Sequence, residues 1–391
     1  MPAATTATSA RTASRESTAS SALAQLTAHA ADRMAAAGEW RAEGRPVIGY
    51  VGADVPVELL TAAGALPVRL AGSPGAGTAT GDRYLGHGVD PAARSVLTRL
   101  LDGDYGDLDG LVVSRDCEAS ARLFYAVREL RRVEPAVRLP PAHLVDVLHL
   151  PHRSTTRYVR AKVAQMRATL ETWTGRTIAD ADLAAAVEAH DRLRQLLGEV
   201  AELRRERPAR LTGTAVLAIV AATTTLPVRR SIELLERLHA HPDTLPEADG
   251  ARVFLTGSGH DTTDVYAALE DAGLLVVGED HDWGDLLFHR RVREPTELGL
   301  AERYQYNGPS APRASIRRRA AHTADAARAC RADALLSYVR DHDDGPLWDF
   351  PAQRAAADLP AVLVDRQPYG SLTAEALASA AGLTNQLGGI R

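Results

Sequence analysis

Short apolar runs rich in β-branched residues recur along the chain, and helical patterns separate them. In the first half the runs lie at 47–52, 66–72, 108–114 and 143–151. In the second half the same order recurs, with runs at 252–259, 274–280, 333–339 and 360–368. Buried runs that alternate with helices are typical of parallel sheets. The pattern therefore predicts two α/β domains, each built around a parallel sheet.

A different pattern lies between these halves. From Val159 to Trp173 the apolar residues fall at spacings of 4, 3, 4 and 3, and a similar spacing recurs from Leu183 to Val200. Such spacing places apolar side chains on one face of a helix, so two amphipathic helices are predicted here. We therefore expect a cleft between two α/β domains that a helical segment joins. The predicted bounds are 26–153 for the N-terminal α/β domain, 154–248 for the helical segment and 249–391 for the C-terminal α/β domain.

The bulk properties narrow the class of protein. Residues 1–25 are rich in Ala, Ser and Thr and lack the apolar core of a secretory signal, so we predict a disordered tail. The net charge of −5 gives no basic surface for nucleic acid, and no apolar run reaches the roughly 18 residues that cross a bilayer. The two cysteines form neither a disulfide framework nor a zinc-binding spacing. We expect a cytoplasmic protein that binds neither nucleic acid nor membrane.

Acidic and histidine side chains follow several of the predicted strands. The sequences DHDW at 280–283 and DHDD at 341–344 each follow a strand of the second half, and Cys117 follows a strand of the first. In parallel sheets ligands bind beyond the carboxyl ends of the strands. Asp and His bind hard or borderline metal ions, and carboxylates also serve in acid–base chemistry. The alternative is that these residues cap helices and stabilise turns, as Asp commonly does.

The segment VIGYVGADVPVELLTAAGALPVRLAG at 47–72 resembles the opening strand, helix and strand of the 2-hydroxyacyl-CoA dehydratase family, which includes subunits of benzoyl-CoA reductase. Further segments follow in the family's order, among them 90–125, 252–284 and 332–353. The resemblance covers nearly everything after the tail. It implies two flavodoxin-like, doubly wound parallel-sheet domains with a helical linking segment and a cleft between them, in agreement with the pattern of strands and helices.

The resemblance also implies a cofactor, a substrate and partners. In the family the cleft holds a 4Fe–4S cluster bound by cysteines, an ATP-driven activator injects an electron, and an acyl-CoA ketyl radical then loses water. Members of the family usually work as pairs of related subunits. The resemblance therefore implies a lyase that acts on acyl-CoA and pairs with a homologous subunit, as a homodimer or a heterodimer.

This sequence departs from the family at the cluster ligands. The resemblance places cysteines near Asp90, at Cys117, at Asp282 and at Asp343, and of these only Cys117 is present. Because thiolates hold iron–sulfur clusters, one cysteine and several aspartates form a poor cage for a cluster and would suit a harder metal ion better. A mononuclear metal ion is therefore the alternative cofactor.

Three functions remain open from the sequence. The first is a dehydratase-like enzyme that acts on an acyl thioester or related carbonyl substrate in the interdomain cleft without the usual cluster. The second is a non-catalytic or cluster-free partner subunit of a cluster-bearing homologue. The third is a radical dehydratase that depends on the ATP-driven activator and holds the 4Fe–4S cluster in an atypical way.

The candidate site residues follow from the loops and from the resemblance. The catalytic candidates are Glu58 and Cys117, and Cys117 with Asp90 marks the cluster position. The metal candidates are His281, Asp282, His342 and Asp343, and the substrate candidates are Arg69, Trp283 and Trp348. The basic stretch RASIRRRA at 313–320 is either a solvated helix face or a surface that meets a CoA phosphate or an acidic partner.

Overall fold

The structure, a computed structural model, describes residues 18–309 and 313–388 and contains two four-stranded parallel sheets. The first sheet consists of β1 (Val47–Val51), β2 (Leu66–Arg69), β3 (Gly110–Ser114) and β4 (Ala142–Val145). The second consists of β5 (Ala251–Gly257), β6 (Leu274–Glu279), β7 (Ala334–Arg340) and β8 (Ala361–Gln367). The strand orders are β2-β1-β3-β4 and β6-β5-β7-β8, so the two sheets share one topology. The predicted fold class, with two flavodoxin-like α/β domains, is confirmed.

Helices flank both sheets and fill the segment that joins them. Those of the first half are α1 (18–31), α2 (Ala35–Ala42), α3 (Val57–Ala62), α4 (Ala79–Leu85), α5 (Pro91–Asp102) and α6 (Glu118–Val133). The joining segment contains α7 (Arg153–Thr174), α8 (Asp180–Glu202), α9 (Gly213–Thr223) and α10 (Val228–His239). The second half contains α11 (Asp264–Asp271), α12 (Asp285–Phe288), α13 (Glu297–Gln305), α14 (Ile316–Ala329), α15 (Gly345–Ala357) and α16 (Ala374–Gly388).

The central strands are apolar because both of their faces are covered. Every residue of β3 is buried. Val112 packs into a core with α7 and α8, whereas its neighbours Leu111 and Val113 pack into a second core with α5 and α6. Successive side chains of a strand point to opposite faces of the sheet, so the run GLVVS supplies both layers at once.

The prediction of a disordered tail is wrong for residues 18–25. These residues belong to α1, and residues 1–17 lie outside the described part of the chain. Ala19, Ala22 and Leu26 of α1 are fully buried in a cluster with side chains of α8, α9 and α10. Their spacing of three and four residues places them on one helix face, a signal that the Ala- and Ser-rich composition obscured.

Helix α9, with the sequence GTAVLAIVAAT, is buried along most of its length between α8, α10 and the second sheet. An apolar helix without a polar face is typical of a protein interior, and it also lacks the amphipathic spacing by which α7 and α8 were predicted. None of the helices in the described ranges combines the length and apolar character that crossing a bilayer requires.

Hydrogen bonds connect the two halves near the end of the first sheet. The run predicted as a strand at 143–151 ends at Val145, and the following residues form a loop. In that loop, His149 Nδ1 forms a hydrogen bond of 3.0 Å with the carbonyl oxygen of Gln305. The Gln305 side chain donates back to the carbonyl oxygen of Leu150 at 2.6 Å. Gln305 ends α13, a helix of the second half that packs against α7.

The burial of α1 predicts a measurable contribution to stability. Leu26→Ala should lower the free energy of unfolding by about 2–5 kcal/mol, because it removes a fully buried side chain and leaves a cavity. Urea unfolding followed by circular dichroism measures the change. The matched control is Ser20→Ala on the exposed face of α1, which should change stability by less than about 0.5 kcal/mol. Equal stabilities of the two variants would contradict the packing of α1.

Candidate functional site

A cavity of about 340 Å³, called the cleft cavity below, lies where the carboxyl ends of strands from both sheets meet. Its lining comes from the segments that follow β3, β5, β6 and β7 and from the beginnings of α5, α6 and α15. Seven acidic residues line it against three arginines. The acidic residues are Asp90, Asp116, Glu118, Asp280, Asp282, Asp343 and Asp349, and the arginines are Arg313, Arg319 and Arg340. Because carboxyl groups outnumber arginines here, the chemical behaviour of each carboxyl group depends on the partner that contacts it.

An ion pair between Asp90 of the first half and Arg340 of the second half crosses the cleft. Its side chain caps α5 by accepting a hydrogen bond of 2.9 Å from the backbone N–H of Ala92. Arg340, the last residue of β7, donates Nε to Asp90 Oδ1 at 2.8 Å and Nη2 to Oδ2 at 2.6 Å. Burial would lower the pKa of Arg340, but the Asp90 carboxylate, together with Asp343 and Asp261, outweighs burial and holds this pKa well above its ordinary value. The position near which the resemblance places a cysteine is thus occupied by one half of a two-point ion pair.

Asp282 forms a second ion pair between the halves. Arg69, the last residue of β2, donates Nη2 to Asp282 Oδ2 at 2.6 Å and Nη1 to its carbonyl oxygen at 2.8 Å. The guanidinium carbon of Arg69 also lies 3.7 Å from the ring centre of Trp283. Burial would raise the pKa of Asp282, but the positive charges of Arg69 and Arg313 and the nearby His281 together outweigh burial, so this pKa is lowered. Arg69 therefore holds the loop after β6, to which Trp283 belongs, and neither of these two predicted substrate residues lines the cleft cavity.

Cys117 lies at the cavity wall as the N-cap of α6. Its sulfur accepts a hydrogen bond of 3.4 Å from the backbone N–H of Ser120 and lies 3.2 Å from Ser120 Oγ. Desolvation by the surrounding protein, together with the neighbouring Asp116 carboxylate, raises the pKa of the Cys117 thiol to about 12. Cys117 is exposed, and without a bound metal ion this raised pKa keeps the thiol protonated at neutral pH and makes it a weak nucleophile.

The four predicted metal ligands are held by separate partners. His281 lies 2.9 Å from the hydroxyl of Tyr266, and burial lowers the pKa of its imidazole. Asp343 accepts a hydrogen bond of 2.6 Å from Ser258 Oγ, and burial raises its pKa. His342 is partly exposed and lies 3.4 Å from the carboxylate of Asp341. Within residues 18–309 and 313–388, no group of three or more His, Cys, Asp or Glu side chains is arranged to hold a metal ion.

Asp280 was not among the candidate site residues, and its surroundings distinguish it from the other carboxyl groups. Its Oδ2 accepts hydrogen bonds from Thr256 Oγ1 at 3.0 Å and Thr323 Oγ1 at 2.6 Å. Gln353 Nε2 donates to both of these hydroxyl groups at 2.9 Å, so the Thr256 proton is left for Asp280, whereas the Thr323 hydroxyl group also lies 3.0 Å from the carbonyl oxygen of Arg319. Burial, with no arginine partner among the described residues, raises the pKa of Asp280 to about 6. The sequence showed the position of Asp280 after a strand, but not which groups surround its carboxyl.

Glu58 is fully buried and outside the cleft cavity lining. It forms an ion pair with Arg194 of α8 and accepts a hydrogen bond of 2.9 Å from the hydroxyl of Tyr304. Burial would raise the pKa of Glu58, but Arg194, together with His190 and Arg303, outweighs burial and lowers this pKa to about 2. Trp348, another candidate, is 75% exposed in the first turn of α15 and also lies outside the lining.

Comparisons with known proteins agree with this architecture. The family described as 2-hydroxyglutaryl-CoA dehydratase, D-component, matches residues 53–341. The chain is 21% identical to the beta subunit of (R)-2-hydroxyglutaryl-CoA dehydratase from Acidaminococcus fermentans, over 82% of this chain and 86% of the relative. It is also 21% identical to the (R)-phenyllactyl-CoA dehydratase beta subunit of Clostridium sporogenes, again over 82% of this chain and 86% of the relative. Identity to a benzoyl-CoA reductase subunit of Thauera aromatica is 24%, over 66% of each chain.

The raised pKa of Asp280 predicts a pH-dependent stability difference. Between pH 3.8, the ordinary pKa of Asp, and about 6, the folded chain keeps a proton that the unfolded chain loses, so the contribution of Asp280 to stability falls as pH rises. Asp280→Asn should therefore be more stable than the wild type above pH 6, by up to about 3 kcal/mol, with little difference below pH 4. Urea unfolding at a series of pH values measures this.

The control is Asp325→Asn, which removes an exposed carboxyl group from α14. Its stability difference from the wild type should stay nearly constant over the same pH range. If Asp280→Asn behaved in the same way, the Asp280 carboxyl group would titrate at its ordinary pKa.

Proposed function

We propose that this chain, which belongs to the 2-hydroxyglutaryl-CoA dehydratase D-component family, is a subunit of a dehydratase-type enzyme. In this proposal the chain binds an acyl thioester in the cleft cavity and carries no 4Fe–4S cluster of its own. The named relatives are dehydratase and reductase subunits, which supports an enzymatic role. The cluster, the substrate and the partner are separate parts of this proposal, and each has its own support.

One observation carries the cluster-free part, namely that Asp90 and Asp282, at two of the positions where the resemblance places cysteines, are paired with arginines. A 4Fe–4S cluster is held by thiolates, usually four, and histidine is the usual replacement. Here Asp90 is bound by Arg340 and Asp282 by Arg69, so these carboxylates are not available as ligands without breaking buried ion pairs. Cys117 alone supplies sulfur, and the second cysteine, Cys330, is buried in the core of the second half. The donor set does not fit the cluster.

The names of the relatives support a partner. Two of them are beta subunits of dehydratases, and the third is one subunit of a reductase. Because a chain without a cluster lacks the family's means of transferring an electron, we assign that step to a homologous subunit whose cysteines are present. This chain would then supply binding and proton transfer, and the alternative of a non-catalytic partner differs only in whether its cleft contacts the reacting atoms.

Within the cleft cavity, Asp280 is the residue best suited to proton transfer. A group whose pKa lies near the working pH exists in both protonation states, which acid–base catalysis requires. Asp280 has a pKa of about 6, and its Oδ1 makes no hydrogen bond within the described ranges. Glu58, with a pKa of about 2 and Arg194 as partner, stays ionised and is assigned a structural role in the contact between α3 and α8.

The cluster-free assignment predicts the metal content of the protein. Chain purified without oxygen should be colourless and contain far less than one iron and one acid-labile sulfide per chain, because its donors do not fit a cluster. Colorimetric iron and sulfide assays and the visible spectrum measure this, with a cysteine-bearing family member purified in parallel. Brown protein with stoichiometric iron that Cys117→Ser abolishes would contradict the assignment.

The role of Asp280 predicts a selective loss of turnover. In the assembled enzyme, Asp280→Asn should lower kcat for a 2-hydroxyacyl-CoA by about 10²- to 10⁴-fold, the usual size of a lost general acid or base. Its Kd for the same thioester, measured by calorimetry, should stay within about twofold of the wild type, because the side chain keeps its shape. Unchanged kcat, or equal losses in kcat and binding, would rule out a proton-transfer role.

A further inference from the structure

A second cavity, of about 150 Å³, adjoins the cleft cavity and is called the arginine pocket below. Its lining includes three arginines, from the segment after α12, from the segment before α14 and from the first turn of α14. These are Arg290, Arg313 and Arg318. His149, Tyr306 and Asn307 also line this cavity.

The arginine pocket concentrates positive charge in a chain whose net charge is −5. None of the residues that line it is an aspartate or a glutamate. Among the residues that the structure describes, neither Arg290 nor Arg318 takes part in an ion pair, and the only hydrogen bond from the Arg290 side chain goes to the carbonyl oxygen of Tyr306 at 3.3 Å. Guanidinium groups that converge on one cavity without a carboxylate in its wall create a local site for an anion.

Arg313 has buried N–H groups that lack acceptors among the described residues. Its side chain is only 4% exposed, yet its Nε and Nη1 have no hydrogen-bond partner within the described part of the chain. Its Nη2 lies 3.5 Å from Asp54 and 3.5 Å from Asp116, so these carboxylates balance its charge without satisfying its remaining N–H groups. Buried donors left without acceptors cost free energy, and an acceptor-rich ligand in the pocket would remove that cost.

The position of the arginine pocket connects it to the proposed substrate site. Pro309 and Arg313 line both this pocket and the cleft cavity, so the two cavities share a wall. A ligand whose reactive end lies in the cleft cavity can therefore place an anionic group against the three arginines.

We propose that the arginine pocket binds a phosphate group, and that the diphosphate–nucleotide part of a CoA thioester supplies it. This assignment of the ligand rests on the proposed function. Three guanidinium groups with several N–H donors match the multiple oxygens and the double charge of a phosphate, whereas one carboxylate would leave most of them unpaired. The His149 ring is fixed by Gln305 on one side and Asp54 on the other, at 3.0 and 2.9 Å, which keeps this wall of the pocket rigid.

The basic stretch at 313–320 offers a closely matched pair of variants. Arg317 and Arg318 are adjacent and exposed in the first turn of α14, but only Arg318 lines the pocket. Arg318→Gln and Arg317→Gln therefore remove the same charge from the same helix. Arg290→Gln tests the lining arginine that follows α12. Arg313 is left in place, because its removal would leave Asp54 and Asp116 without their arginine.

The experiment measures binding of CoA, pantetheine and inorganic pyrophosphate to the full chain by isothermal titration calorimetry. Arg318→Gln and Arg290→Gln should each weaken CoA binding about 5- to 20-fold, as expected for loss of one partly exposed charge-assisted hydrogen bond, and Arg317→Gln should weaken it less than about twofold. Pantetheine, which lacks phosphate, should be insensitive to all three substitutions. Thermal melts confirm that the variants are folded.

The outcomes separate this inference from the proposed function. If Arg317→Gln weakened CoA binding as much as Arg318→Gln, the effect would be general electrostatics and the pocket assignment would be wrong. If CoA bound with no dependence on Arg290 or Arg318, the thioester function would stand and the arginine pocket would be excluded as its phosphate site. If pyrophosphate bound in an Arg318-dependent way while CoA did not, the phosphate site would stand and the CoA source would be overturned. If neither CoA nor pyrophosphate bound the wild type, the phosphate site would be overturned.

Discussion

The need to pair buried charges across the cleft is the constraint on which the arrangement of the two halves depends. Arg340 of β7 reaches Asp90 of the first half, Arg69 of β2 reaches Asp282 of the second, and each contact is made at 2.6 Å by largely buried side chains. A buried charge that loses its partner is costly, by several kcal/mol, whereas an intact pair roughly offsets its own desolvation. The pairs therefore add little net stability, but they disfavour any relative position of the two halves that separates them.

The carboxyl groups of the cleft cavity differ in the balance between burial and their partners. At Asp282, where Arg69 is in contact at 2.6 Å, the pKa is lowered, whereas at Asp116, 3.5 Å from Arg313, burial prevails and the pKa is raised. Where only hydroxyl groups are in contact, burial prevails and the pKa rises, as it does for Asp280 with two threonines and Asp343 with one serine. Burial and partner, rather than residue type, thus decide which aspartates hold a structure together and which can exchange a proton near neutral pH.

The sequence predicts the local elements well and the partners across the cleft poorly. All eight strands follow from β-branched runs, and α7 and α8 follow from their apolar spacing, because both signals are contained in a few neighbouring residues. Asp90 and Arg340 are 250 residues apart, and no local pattern indicates that they meet. The importance of Asp280 was missed for the same reason, since its pKa depends on burial and on Thr256 and Thr323, which are distant in the sequence.

The local role of two cleft positions explains why this fold accommodates an aspartate where the resemblance places a cluster cysteine. Asp90 and Cys117 are both N-cap residues, at α5 and α6, and each accepts a hydrogen bond from the first turn of its helix. Asp is among the best N-cap residues, so at position 90 it satisfies a helix end and also presents a carboxylate to the opposite half. That carboxylate needs a cation in a buried site, and Arg340 provides it with two hydrogen bonds. The Asp90–Arg340 and Arg69–Asp282 pairs thus join segments of the two halves at this edge of the sheets through charge and hydrogen bonds.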